Sequence, residues 1–522
     1  MKKCIFIVLS SFFISASFAE IKLSKIFSDN MMIQQNQPVA IWGSADPNAF
    51  VKVVAGAVQV EGRSDNNGKW HLKIPSANGS FEPFTIQIYE NGRLAKEINN
   101  VLRGEVWIAG GQSNMAMNLK GIKGSEKYVE NMKADKVRYF VHPTPIAKMT
   151  SMKSGFGSQP CDDFIDGSKW ICVDKQNVWD ISAVAFIFGN NLMKRINVPV
   201  GIVFNAVAGS KMECWVSQQT YETSPNFKVI RDNFNASLKK YDYKKALEIF
   251  NAKVKKYNED KASGKKNLPP SWTVANIMRP WCDSPVIWKS PYMFYNVRVN
   301  PMRNYTARGV IWYQGEDNRA EAFADAFRCL ITQWREYFNN LELPFICVQL
   351  PSYKVDEWAE KRQAQKEVAD SMAQVEIIPA IDTGEENDIH PLDKMPIAER
   401  LANKALFSVY GVKNAETPCL IQKIDFSKNS VEISFSTNAI LQGDLRGFEV
   451  LSNGRWMSVA KNFQIVELKS ATSRALKGIR IISNDGKSVE GVRYLWKGWA
   501  KPNVCLYGLD KSPVFPFKYE KK

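Results

Sequence analysis

Three histidines serve 522 residues: His71, His142 and His390. So few imidazoles exclude a histidine-rich metal centre and leave only three bases of ordinary pKa near neutrality. The nine cysteines include no C-x-x-C pair, which removes the zinc-ribbon and dithiol-redox spacings; no metal or cofactor is expected. No internal repeat or low-complexity tract appears, so a solenoid is excluded. Beyond the first twenty residues, no run is apolar enough to cross a bilayer, which takes about 20 residues. Acidic residues are in the minority, 53 against 69 Lys and Arg, for a formal charge of +16. The lysines are dispersed, however, and accompany no nucleic-acid-binding signature. Neither nucleic acid nor a membrane anchor is therefore expected as a partner, and the excess charge reads as solvated surface with a mild attraction for acidic sugars.

What is present begins with a leader. Lys2 and Lys3 precede an apolar stretch of about a dozen residues, and Ser17-Phe18-Ala19 puts small residues at the positions a signal peptidase reads. A signal peptide over 1–19, cleaved after Ala19, and a secreted or periplasmic protein are predicted. Eight cysteines lie beyond the leader. Cys161 and Cys172 flank a loop-like segment and are a candidate pair, whereas Cys329 and Cys347 sit in apolar runs and read as buried thiols.

The remaining length suits two to four domains. Residues 20–102 carry short strands ("VKVVAG", "WHLKIP", "FTIQIYENG") broken by turn signals ("SADPN", "DNNGKW"), which predicts an N-terminal β-sandwich. From 103 to 408 the pattern changes. Continuous apolar strands ("EVWIAG", "PVGIVFNAVAG", "RGVIWYQG", "LPFICVQLP", "VEIIPAIDTG") alternate with helical stretches, including 181–196 and 319–338, which predicts a parallel sheet covered on both faces. A Lys-rich helical insert interrupts it at 226–270. Strands return over 409–522 as a C-terminal β-module.

In a covered parallel sheet, chemistry gathers at the carboxyl ends of the strands. Four of the strand ends are polar. "GGQSNM" puts Ser113 on a glycine turn; a serine hydroxyl needs a base to become a nucleophile. "GIVFNAVAGSKMECW" offers Gly209, whose backbone N–H can approach a reacting oxygen, and Trp215, which either walls a sugar site or is core. "GVIWYQGEDN" offers the Asn318 amide, an oxyanion donor or a helix cap. "DTGEENDIHPLDK" sets His390 among carboxylates that could orient an imidazolium. Gln112, Gln314 and Glu316 in the same segments are substrate-binding candidates with Trp215. His142, ending "YFVH", is a weaker base candidate, and His71 reads as a strand residue.

Serine, glycine, asparagine and histidine in that order resemble the SGNH hydrolases, and more closely their sialate O-acetylesterase branch of exported carbohydrate esterases. "FSDNMMIQQNQPVAIWG" and "DNNGKW" match that branch's N-terminal β-domain; "GEVWIAGGQSNM", "NVPVGIVFNAVAGSKMECW", "GVIWYQGEDN", "RQAQ" and "DIHPLDK" follow in family order. The resemblance implies a flavodoxin-like SGNH parallel-sheet core between two β-modules. It implies Ser113 as nucleophile and His390 as general base. The oxyanion hole would consist of the Ser113 and Gly209 N–H groups and the Asn318 amide. It further implies an acetyl-enzyme reaction without metal or cofactor, on O-acetylated sialic acid or another acetylated glycan such as xylan or xyloglucan. Three positions depart from the pattern: Ala208 replaces a glycine, Asp317 a serine, and Asn387 the acid three before the histidine. Asp388 is then the expected third member, with Asp382, Glu386 or a backbone carbonyl as alternatives. A carbohydrate-binding protein with a degenerate core is the rival reading.

Overall fold

The computed structural model describes residues 21–132, 136–144, 156–266, 268, 290–415, 418–459, 462–469 and 475–521. The leader and Cys282 lie outside them. Among the described residues, no helix is long and apolar enough to cross a membrane.

Near the N-terminus, Lys22–Leu23, Val39–Ser44 and Lys69–Ile74 form a three-stranded antiparallel sheet. A second layer contains Phe50–Ala55, Val58–Arg63 and Ser80–Glu90. Phe50–Ala55 buries every second residue, the period that a half-covered strand requires. Ile41 and Trp70 of the first layer share one core with Val51, Val53, Ile86 and Ile88 of the second.

The second layer runs directly into the large, mostly parallel sheet. Strand β1 (Arg93–Gly111) pairs with Ser80–Glu90 over its first half and with the central sheet over its second. The change in residue pattern at 103 is therefore a change of surroundings along one strand: exposed and buried residues mix before Val101, and everything after is buried. The sheet continues with β2 (Val137–Val141), β3 (Lys169–Cys172), β4 (Val200–Ala206), β5 (Gly309–Tyr313), β6 (Phe345–Val348) and β7 (Val375–Ile378). Their spatial order is β3-β2-β4-β1-β5-β6-β7, all parallel except β3. Without the added β2–β3 pair at the edge, the order is the 2-1-3-4-5 of a doubly wound sheet, whose switch point lies between β1 and β5.

Successive residues of these strands enter two different cores. Val106, Ile108, Val310, Trp312 and Phe345 face one side; Trp107, Ala109, Ile311, Tyr313 and Ile346 face the other. Four helices supply the covers, after a single turn, α1 (Ser113–Ala116), that leaves β1. On one face lie α2 (Ala183–Ile196) and, late in the chain, α7 (Met395–Ser408). α2 starts at Ser182, whose Oγ accepts from Ala185 N–H, and stops at Asn197 in the left-handed region, a cap at each end. The opposite face carries α5 (Phe323–Tyr337) and α6 (Trp358–Ser371). Phe323, Ala326, Phe327, Leu330, Ile331 and Trp334 make the 3-4 stripe that buries α5. Between these pairs in the chain, α3 (Lys228–Lys240) and α4 (Tyr243–Ala262) bury no residue.

The C-terminal residues build two further antiparallel sheets around a separate core. They reach back to the parallel-sheet body through Arg362, which donates to the carbonyls of Lys497 and Gly498, and through Lys501, which donates to the Gly384 carbonyl.

Two expectations change here. Cys161 and Cys172 are both free thiols: Cys172 Sγ lies 3.3 Å from Asn30 Oδ1 and Cys161 faces the Gln159 carbonyl. His142 is buried edge-on against Phe164, with Arg298 bonded to its carbonyl, so its imidazole is a packing group withdrawn from solvent.

Candidate active site

Every residue from Val101 to Met115 is buried except Ser113. The reason lies in the two glycines before it. At the end of β1, Gly111 is flanked by Ala206 of β4 and Tyr313 of β5. It adopts a φ of +132°, and a Cβ there would lie 2.1 Å from the Tyr313 carbonyl oxygen. A Cβ on Gly110 would lie 2.6 Å from the Trp312 ring. Only glycine lets the neighbouring strand close in while the backbone turns. Gln112 then locks the turn: its N–H donates to Tyr313 O (3.0 Å), its carbonyl accepts from Met115 and Ala116, and its Oε1 accepts from Gly315 N–H (3.3 Å). Ser113 leaves this rigid corner half-exposed, at the switch point.

The loop after β4 is tied to the same corner. Val207 N–H (3.1 Å) and Ser210 Oγ (3.3 Å) both donate to the Gly111 carbonyl, and Trp215 Nε1 donates to Ser210 Oγ (2.9 Å). Between these anchors, Gly209 is half-buried at φ +69°.

Asn318, after β5, is held on both sides. Met212 N–H (3.0 Å) and Gln314 Nε2 (2.5 Å) reach its Oδ1, while its Nδ2 donates to Glu213 Oε2 (3.1 Å). A backbone N–H can only donate, so the Met212 bond fixes which end of the amide is oxygen. Among the described residues the second Nδ2 hydrogen meets no acceptor, which leaves it for a ligand. Glu213 is buried, and burial raises its carboxyl pKa, opposed by Lys211 and by the Asn318 bond.

His390 stands on an open loop, its side chain 45% exposed. Asp388 reaches it chiefly through the backbone: Oδ1 accepts from His390 N–H at 2.8 Å and lies 3.9 Å from Nδ1. Asp382 forms a two-bond pair with Arg400 (2.8 and 2.6 Å) and is committed there; Glu386 is exposed. Partial burial lowers the imidazole pKa, Lys394 lowers it further, and Asp388 and Asp317 oppose the shift. A neutral ring, the form that accepts a proton, is favoured at neutral pH. The loop meets the Ser113 turn through the next residue: Asn114 Nδ2 donates to the Ile389 carbonyl at 3.0 Å. No direct hydrogen bond joins Ser113 to His390 among the described residues.

The four substrate-binding candidates are placed differently from expectation. Gln112 (2% exposed), Gln314 (1%), Glu316 (6%) and Trp215 (0%) are buried. Trp215 packs against Phe294 and Trp312, so it is core; the other three hold neighbouring loops by hydrogen bonds. They shape the site from behind. Asn114, Glu213 and Lys394 were missed in the sequence. Asn114 follows the serine and Glu213 lies four residues after Gly209, but their significance depends on partners about a hundred residues or more away.

Residues 277–406 match the family model for carbohydrate esterases of the sialic acid-specific acetylesterase type. That segment contains Asn318 and His390. The sialate O-acetylesterase of Mus musculus is 24% identical over 94% of this chain and 93% of its own length. The Homo sapiens sialate O-acetylesterase is also 24% identical, over 91% of this chain and 87% of its own. A carbohydrate acetylesterase from Xanthomonas citri of known structure superposes with a TM-score of 0.75 at 22% identity, over 96% of this chain and 100% of that one. The fold is therefore shared along nearly the full length, and so is the resemblance to the sialate O-acetylesterase family.

Proposed function

We propose, for a chain that resembles the sialate O-acetylesterases almost from end to end, that it removes O-acetyl groups from carbohydrate through an acyl-enzyme on Ser113. The observation that carries this reading is that Ser113 alone breaks a buried run, at the switch point, with three other strand-end loops bonded to its turn. A half-exposed hydroxyl in that position has little structural use.

In the proposed reaction, the Ser113 Oγ attacks the acetyl carbonyl as His390 takes its proton. The tetrahedral oxyanion sits between the N–H groups of Ser113 and Gly209 and the remaining Nδ2 hydrogen of Asn318. Collapse breaks the ester bond, and the imidazolium returns its proton to the departing sugar oxygen. Water then attacks the acetyl-Ser113 ester with His390 again as base, releasing acetate. Asp388 acts on the loop more than on the ring, so the arrangement works as a Ser–His dyad with a nearby carboxylate. O-acetylated sialic acid is the first substrate to test, because the mouse and human relatives are sialate O-acetylesterases. Export through the 1–19 leader is part of the same reading.

The test is acetate release from a panel of acetylated sialic acids, xylan and xyloglucan by the wild type and by Ser113→Ala. Loss of at least ~10³-fold in kcat is expected, since only oxyanion stabilisation and binding survive nucleophile removal. Undiminished turnover by the alanine variant would dismiss the assignment. Release from plant glycans alone would move the substrate and keep the chemistry.

A further inference from the structure

One buried set of titratable side chains has no part in the acyl transfer, yet it touches the residue next to Ser113. Asn114 is fully buried, and its side chain makes three hydrogen bonds. Lys394 Nζ donates to its Oδ1 at 2.5 Å; its Nδ2 donates to Glu316 Oε1 at 2.5 Å and to the Ile389 carbonyl at 3.0 Å. The Ile389 carbonyl can only accept, so the amide has one possible orientation. Lys394 is itself 0% exposed, and its carbonyl accepts from Ala398 N–H in the first turn of α7. Glu316 is anchored from behind, its own carbonyl accepting from the buried Lys361 Nζ at 3.0 Å.

These bonds grip the histidine loop at two points, one residue before His390 and four after it. Direct support for His390 within its own loop is slight: an exposed aspartate bonded to its backbone. Buried charges are poor sources of stability, because desolvation offsets most of the attraction, and well-packed apolar residues often do as well. Their value lies in geometry. Each rigid donor or acceptor permits one separation, and proton transfer needs the imidazole within hydrogen-bond reach of the hydroxyl.

We propose that Asn114, held between Lys394 and Glu316, is a positioning residue that sets the distance between the His390 imidazole and the Ser113 hydroxyl. The proposal rests on the reading of Ser113 as nucleophile and His390 as base. Asn114 takes no part in bond making; it ties the nucleophile turn to the base loop. Glu316 supplies an acceptor, so Glu316→Gln, which retains an amide oxygen at that place, preserves the grip. Lys394→Met keeps the stem and loses the donor.

The experiment measures kcat and KM for 4-nitrophenyl acetate, with thermal unfolding, on the full chain carrying Asn114→Ala, Lys394→Met, both, Glu316→Gln, or Ser113→Ala. Asn114→Ala is expected to lower kcat about 10²-fold with KM within about threefold, the cost of a displacement near 1 Å. Lys394→Met should lose about tenfold or more, and the double variant should be no worse than Asn114→Ala by more than about threefold, because both break one linkage. Glu316→Gln should keep at least about a third of wild-type kcat. Folded Asn114→Ala and Lys394→Met with wild-type kcat would overturn the proposal. So would losses confined to KM, or single losses that multiply in the double variant. Should Asn114→Ala fail to fold, the Lys394→Met and Glu316→Gln pair decides. Failure of the underlying reading shows separately, as activity retained by Ser113→Ala.

Discussion

The two halves of the proposed catalytic pair are built in opposite ways. Ser113 leaves a corner where the strand end, the glycines and Gln112 are all buried and bonded. His390 stands 45% exposed on a loop whose nearest carboxylate is 54% exposed. The proposed oxyanion donors belong with the serine: Asn318 is fixed on both ends of its amide, and Gly209 lies between bonds to Gly111. The sheet thus sets the electrophilic side of the site in advance, whereas the base is brought to it by a loop. Preorganised donors cost no rearrangement when charge develops, so they repay rigidity most. A base must give and take one proton across a short gap, and a loop gripped at a few points can serve.

That contrast makes unequal predictions. The largest effect falls on the corner itself: Gly111→Ala combines a forbidden φ with a contact 2.1 Å from Tyr313 O. It should cost about 3 kcal/mol or more of stability and abolish turnover, checked by chemical denaturation and acetate release. A variant as stable and active as the wild type would show the corner to be less rigid than argued. Next, Asn318→Ala removes a fixed donor and should lower kcat by about 10²–10³-fold while KM changes little, measured by steady-state kinetics. An effect on KM alone would make the amide a substrate contact. The smallest effect belongs to the base side. Asp388→Asn should lower kcat by less than about tenfold, far from the ~10⁴-fold loss that follows when a buried triad aspartate is replaced.

The same variant has a signed effect on pH dependence. As the proposed base, His390 must be unprotonated to accept, so kcat/KM should fall as pH drops through its pKa. Burial holds that pKa below the ordinary 6.5, and Asp388 opposes the shift. Removing the carboxylate lets the pKa fall further, so the acid limb should move to lower pH. A pH–rate profile of the two proteins decides it; a limb that stays put would exclude Asp388 as an electrostatic partner.

Much of the fold was legible in the chain. Continuous apolar strands between amphipathic helices announced a covered parallel sheet, and short runs between turn signals announced the N-terminal strands. The helix read over 319–338 spans Phe323–Tyr337, since its stripe of large apolar residues has no other period. Four polar strand ends were also readable, because glycine, serine and asparagine stand out against such strands. What the chain hid was partnership. Trp215 and Glu316 occur in motifs beside proposed catalytic residues, and both point inward. Cys161 and Cys172 flank a loop yet do not meet. The pattern break at 103 looked like the end of one domain, although a single strand runs through it.

The sequence alone determined which segments are strands and helices and where small and polar residues interrupt them, because propensity and hydrophobic period act over a few neighbouring residues. Tertiary structure decided that β1 lies between β4 and β5, that Asn318 answers to Glu213, and that Asn114 grips the loop of His390. Those are contacts between residues about a hundred to nearly three hundred positions apart. They depend on strand order and on which buried donor finds which acceptor, and both are settled only when the whole core closes.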